Sequence, residues 1–125
     1  MKIEFFTFCD GAYNYDGRLT IVGTYDDIKA QSFPWKTNMS FALKLLVSND
    51  EAGKKALNIR FTNAAGEPFA GEINTEIDIP QSDSVGHIAI ASMMQGIVFN
   101  SEGKYNVCIL ENGHELKTFT FNVLK

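Results

Sequence analysis

The chain has 125 residues, 45% of them hydrophobic and 21% charged, and a formal charge of −4 at pH 7. Such a composition excludes a disordered chain, and the length suits one domain, 1–125, that buries roughly two-thirds of the surface its unfolded form exposes. The 11 Lys and Arg residues are scattered, which opposes a nucleic-acid role, because that role needs clustered cations to displace phosphate counterions.

The first strand-like run is Ile3–Cys9; within it, after Ile3-Glu4, the apolar run Phe5–Cys9 is too short for the apolar core of a signal peptide. No run approaches the roughly 20 apolar residues of a membrane helix. The expectation is a cytoplasmic protein with no membrane partner. Ile3, Phe5, Thr7 and Cys9 are expected on one face, with Phe6 and Phe8 on the other. Apolar residues on both faces suit a strand covered on both sides, or one face at a subunit contact. Gly11 marks a bulge beyond which Ala12–Tyr15 continue the strand. Asp16-Gly17 fits a type I′ turn, whose two central residues need positive φ, and Leu19–Thr24 is the return strand. From Asp26 to Thr37 the alternation lapses. There Phe33-Pro34-Trp35 reads as a bulky loop against the core edge, with Pro34 holding Phe33 extended.

The clearest strand is the third run: Met39, Phe41, Leu43, Leu45 and Val47 alternate with Ser40, Ala42, Lys44 and Leu46. Leu57–Thr62 alternates likewise. Phe69–Ile79 sets an inward row against the outward Glu72, Asn74, Glu76 and Asp78, which read as a solvated face that guards an edge. After a polar loop at 80–86, His87–Met93 places Ile88 and Ile90 inward, and Met93–Gly96 bends the chain before Ile97–Phe99. Tyr105–Ile109, Asn112-Gly113 and Leu116–Val123 form a second hairpin. No long helix is expected. About eight short strands separated by turn signals predict an all-β fold: a single-domain antiparallel β-sandwich, immunoglobulin-like.

Cys9-Asp10-x-Ala12, followed by Asp16-Gly17-Arg18-Leu19-x-Ile21-x-Gly23, resembles the opening of a bacterial family of small all-β proteins known only as a domain of unknown function. Phe33-Pro34-Trp35 before Met39–Val47, Gly103-Lys104-Tyr105, and Phe121-Asn122-Val123 extend the resemblance over nearly the whole chain. It implies a sandwich fold. Its motifs are turn and core residues, so it carries no chemistry.

Each candidate chemical site has a simpler structural reading. Asn14 and Asp16-Gly17 match positions three, five and six of a calcium loop, but Ala12 then takes position one and Gly23 the place of the bidentate Glu. Asx turns at Asp10 and Asp16 are the better account. Cys9 and Cys108 lie inside strand-like runs and are expected as free, small buried hydrophobes of a reducing compartment. His87 and His114 are far apart in sequence and have no close-spaced ligand partner. No nucleophile elbow, P-loop or dinucleotide fingerprint occurs, and Cys9 or Ser84 would need a base and an oxyanion donor from elsewhere. No catalytic, metal or cofactor residue is therefore assigned.

Aromatic residues in the first two connections are the remaining lead. Tyr13, Tyr15, Phe33 and Trp35 are the candidate interaction surface, with Tyr25 nearby. Rings on a rigid sandwich anchor protein partners or stack on sugars, whereas the competing reading has Phe33 and Trp35 plugging one end of the core. Three functions stay open. The first is a non-catalytic binding or assembly module that contacts a protein partner or a second copy of itself. The second is a small-molecule or carbohydrate binder. The third is an enzyme whose site forms only in three dimensions, with Asp10, His87 and Cys9 as the residues to examine.

Overall fold

The computed structural model describes residues 1–82, 84 and 86–125; Asp83 and Val85, part of the polar loop expected at 80–86, lie outside the described residues. Among the described residues there are nine strands and no helix: β1 Lys2–Tyr15, β2 Arg18–Thr24, β3 Ile28–Lys29, β4 Trp35–Val47, β5 Gly53–Asn63, β6 Ile73–Ile79, β7 Gly86–Phe99, β8 Gly103–Glu111 and β9 His114–Leu124. They make two sheets, β2-β1-β4-β7 and β3-β9-β8-β5-β6. Every pairing is antiparallel except that of the short β3 with β9.

Between the sheets lies a core in which Phe41, Leu43, Leu45, Phe61, Phe99 and Val107 are fully buried. The inward row read from β4 holds from Met39 to Val47. In β1 the expected alternation breaks. An irregularity between Ile3 and Phe5 shifts the register against β4, so Ile3, Phe6 and Phe8 all belong to the core. One extra residue in a bulge swaps the faces of everything beyond it. Likewise β7 runs unbroken through Met93–Gly96, and the expected bend is a register shift opposite Thr37–Met39. Gly96 supplies positive φ there, and its N–H donates to Asn38 Oδ1 at 3.1 Å.

Phe69 stands before β6 rather than in it. Its N–H donates to the Phe61 carbonyl (3.1 Å) and its own carbonyl accepts from Val98 N–H (3.0 Å), so this residue joins one sheet to the other. The extended row expected from Phe69 therefore begins only at Ile73.

Both two-residue turns form as read, with φ of 51° and 80° at Asp16 and Gly17 and of 47° and 82° at Asn112 and Gly113. Asn112 also extends the β5–β8 ladder: its N–H donates to the Ala56 carbonyl (2.8 Å) and its Oδ1 accepts from Ala56 N–H (2.9 Å). Gly113→Val is expected to destabilise the fold by about 1 kcal/mol or more, because a β-branched residue resists positive φ. A urea midpoint equal to the parent's would contradict that turn geometry.

Candidate functional site

One of the two sheets is not flat but a curled half-barrel. β1 pairs with β4 only from Lys2 to Cys9 and then leaves it to form the hairpin with β2. Asn14, near the hairpin tip, donates from Nδ2 to the Ala89 carbonyl at 2.9 Å. Ala89 lies on β7, beyond β4, and pairs with Lys44. The hairpin has thus folded back over the outer side of the sheet. This explains why Ser40 and Ala42, on the side of β4 that faces away from the core, are nonetheless buried together with Cys9. Ala91 pairs with Ala42 and, like Ala89, is half-buried. Small side chains on this floor leave the room that a second layer of backbone needs.

Register then sorts the hairpin's side chains. Ala12 pairs with Ile21 and Asn14 with Leu19, and this side turns to the floor, with Ala12, Leu19 and Ile21 half-buried and Asn14 bonded to Ala89. Tyr13 pairs with Thr20, Tyr15 with Arg18 and Gly11 with Val22, and these residues make the outer face. Tyr13 and Tyr15 are 55% and 60% exposed, their ring centroids 6.5 Å apart, and Val22 beside them is equally open. The Tyr13 ring lies over Gly11, where an added Cβ would sit 3.5 Å from it.

Phe33 and Trp35 belong elsewhere. Both pack against the core periphery, with Trp35 stacked on Phe99 at 5.8 Å. Trp35 begins β4, nine residues before Lys44, at whose level the hairpin tip touches β7; along a strand that is about 30 Å. The four aromatic candidates therefore do not share one surface. Trp35 and Phe33 close the core, and the tyrosines stand free. Linear proximity in the first two connections suggested otherwise, and the fold-back of the hairpin separates them.

A second feature was not singled out in the sequence. Between β1 and β9, on the flank of the sandwich, a groove of about 240 Å³ is lined by Phe6, Phe8, Phe119, Phe121, Tyr25 and Asp26 among others. Phe6 stacks on Phe119 (5.7 Å) and the Phe8 ring meets Phe121 edge-on (5.1 Å), so rings from both sheets meet across its floor. At one end Tyr25 N–H donates to the Phe8 carbonyl (2.9 Å), and the Tyr25 hydroxyl donates to Asp10 Oδ1 in a short contact. Gly23 makes that contact possible: its φ is +66°, and a Cβ there would lie 2.5 Å from Asp10 Oδ2. The Asp10 carboxylate raises the Tyr25 phenol above its ordinary value of 10.0. The bond therefore persists below pH 10 and is lost only as pH rises through the higher folded-state value. Asp10→Asn is expected to bring that phenol back down, read as an earlier tyrosinate band in a spectrophotometric titration. An unchanged titration curve would mean the bond does not form in solution.

The residues considered for catalysis do not converge. Asp10 is engaged by Tyr25, whereas His87 Nδ1 faces Glu4 Oε2 at 3.3 Å. Ser84 has Ser82 Oγ as its neighbour at 3.4 Å. Burial raises both thiols above the ordinary cysteine range, and Cys9 and Cys108 are free. A thiol that is hard to ionise is a poor nucleophile. Among the described residues no group of three or more His, Cys, Asp or Glu side chains is placed to hold a metal ion. The oxygens that suggested a calcium loop have other duties: Asn14 Oδ1 accepts from Gly17 N–H, three residues on, at 2.8 Å, and Asp10 Oδ1 accepts from the Tyr25 hydroxyl rather than closing the Asx turn expected there.

Residues 4–124 match a family model whose description is a family of unknown function (DUF6941). The chain belongs to DUF6941. No curated protein sequence matches it significantly. Among solved structures, the Pseudomonas fluorescens alkylpurine DNA glycosylase AlkC bound to DNA containing an abasic site analog aligns at 18% identity, over 80% of this chain and 28% of that one, with a TM-score of 0.44. The DUF6941 chain thus spans little more than a quarter of that protein, and a likeness of this degree carries no inference about what it binds. The residues of the opening motif have a structural role in this chain. Asp10, Gly23 and the Asp16-Gly17 turn build the junction and the tip of the folded-back hairpin.

Proposed function

We propose that this protein is a non-catalytic binding or assembly module that engages a protein partner through the outer face of the β1–β2 hairpin. The observation that carries this reading is the exposure of Tyr13 and Tyr15 on a paired, anchored strand. Large rings held on rigid backbone offer contact area at low entropic cost. The strand order β1-β4-β7 facing β9-β8-β5-β6 supports an immunoglobulin-like sandwich, a scaffold on which binding surfaces recur. Two unpaired thiols suit a cytoplasmic setting in a bacterial cell, and the acidic charge argues against nucleic acid as the partner.

The test compares affinity capture by the parent protein and by Tyr13→Ala/Tyr15→Ala from the native cytoplasm. Because both rings are exposed, the thermal midpoint should stay within about 2 °C of the parent, as for surface changes generally. Bands captured by the parent should be lost from the variant. Equal capture by both proteins would refute the hairpin surface, and a parent that is dimeric in light scattering but monomeric as the variant would identify the partner as a second copy.

A further inference from the structure

The flank groove has a property that the hairpin lacks: both of its long walls are open strand edges. On one wall, β1 from Lys2 to Phe8 pairs with β4 alone, since pairing with β2 begins only at Cys9. On the other, β9 pairs with β8 along its length, whereas β3 reaches only Val123 and Leu124. Backbone groups of successive strand residues point to alternate sides. The Phe8 carbonyl points outward, because it accepts from Tyr25 N–H, so the N–H and C=O of Phe6 point the same way. The Leu124 carbonyl accepts from Ala30 N–H, which sends those of Thr118 and Thr120 outward as well. The groove thus has an apolar floor of phenylalanine rings and unpaired donors and acceptors along both rims. An added strand satisfies both features at once, its alternate side chains on the rings and its backbone on an edge.

Charge says which strand. The crossover Tyr25–Asp27 closes one end of the groove, and Asp10, Asp26 and Asp27 all stand there. Asp26 lines the groove, Asp27 accepts from Asn122 Nδ2 at 3.4 Å, and Asp10 sits behind Tyr25. Among the described residues no Lys or Arg forms an ion pair with any of the three. The rims near the ring floor carry Thr7, Thr118 and Thr120, and the cation at the floor is Lys117, whose Nζ stands 4.9 Å from the centre of the Phe119 ring, towards the end of β9 away from Asp26 and Asp27.

We propose that this groove binds an extended peptide segment of a partner protein as an added β-strand, with alternating apolar side chains on the phenylalanine floor and a Lys or Arg at the end that meets Asp26. The site is separate from the hairpin face, so either reading stands or falls without the other.

The probe is a displayed library of random peptides of about nine residues, long enough to span a strand edge, selected on the full chain. Expected are ligands with alternating apolar residues and a basic residue at one end. Thr120→Pro removes an outward N–H at a position where proline is tolerated, since that donor has no partner in the sheet, and it should weaken the selected peptides by about tenfold or more. Asp26→Lys, a change of an exposed loop residue, should weaken them similarly and redirect selection towards acidic ends. Tyr13→Ala should leave their binding unchanged. The proposal is overturned if selection yields no ligand, if the ligands ignore both groove variants, or if Tyr13→Ala abolishes their binding. It is also overturned if the parent is a dimer that Thr120→Pro dissociates, because the groove would then hold a second copy.

Discussion

Phe99→Ala is expected to cost about 3–5 kcal/mol, the range for emptying a buried aromatic site, and to lower the thermal midpoint by roughly 10–20 °C in a domain of this size. Phe99 is fully buried, and its ring lies within 5.1 Å of both Phe69 and Tyr105 and stacks beneath Trp35. Removing it leaves a void that four neighbouring rings border, Phe121 being the fourth, and stiff aromatic side chains collapse poorly into such a space. Trp35→Ala should cost clearly less, because its ring is half-buried and only one side of it rests on Phe99. The measurement is a pair of urea denaturation curves at equal slope. If Trp35→Ala proves as costly as Phe99→Ala, Trp35 is a core residue in full rather than its lid.

The second large effect concerns the floor under the hairpin. Ala42→Leu places three extra carbons where Ala42 has no exposed surface, and over-packing of this kind costs about 1–3 kcal/mol. The strain has one easy outlet. The β1–β2 hairpin is held to β7 by Asn14 and by small apolar contacts, so it should lift while the two-sheet core stays closed. Hydrogen exchange is expected to show faster exchange at Leu19–Ile21 and unchanged protection in β5 and β8. Uniform loss of protection across the chain would instead mean that the hairpin and the core unfold as one unit. If the hairpin does lift, capture through Tyr13 and Tyr15 should fall as well, because their presentation depends on the strand beneath them.

How much of this was legible beforehand depends on the range of the interaction. The inward row Met39–Val47, the two turns at Asp16-Gly17 and Asn112-Gly113, and the hairpin of β8 with β9 follow from side-chain alternation and from the φ preferences of single residues. Both are local, and neither needs a partner strand to be known. The bulge between Ile3 and Phe5 left no such trace, because apolar residues on either side of it suit both registers. β3 was missed because two residues cannot display a period, and its pairing with β9 joins segments about 95 residues apart. The candidate surfaces divide in the same way. The run from Cys9 to Gly23 announced a turn and a glycine at the hairpin, but not that the hairpin folds back over Ala42.

The sequence by itself therefore determined that this chain is an all-β domain with tight turns and an apolar row on each main strand, since those properties reside in adjacent residues. Only the tertiary structure decided which aromatic rings are free. Tyr13 and Tyr15 stand clear because Ala12, Asn14, Leu19 and Ile21 on the opposite face of their hairpin face the floor of the sheet. Phe33 and Trp35 are half-covered because both pack against the core, Trp35 on Phe99, 64 positions away. The flank groove, too, exists only where β1 and β9 come side by side with their outer edges unpaired. Burial and edge pairing are properties of the neighbours a residue acquires, and a linear sequence names those neighbours only once the chain has folded.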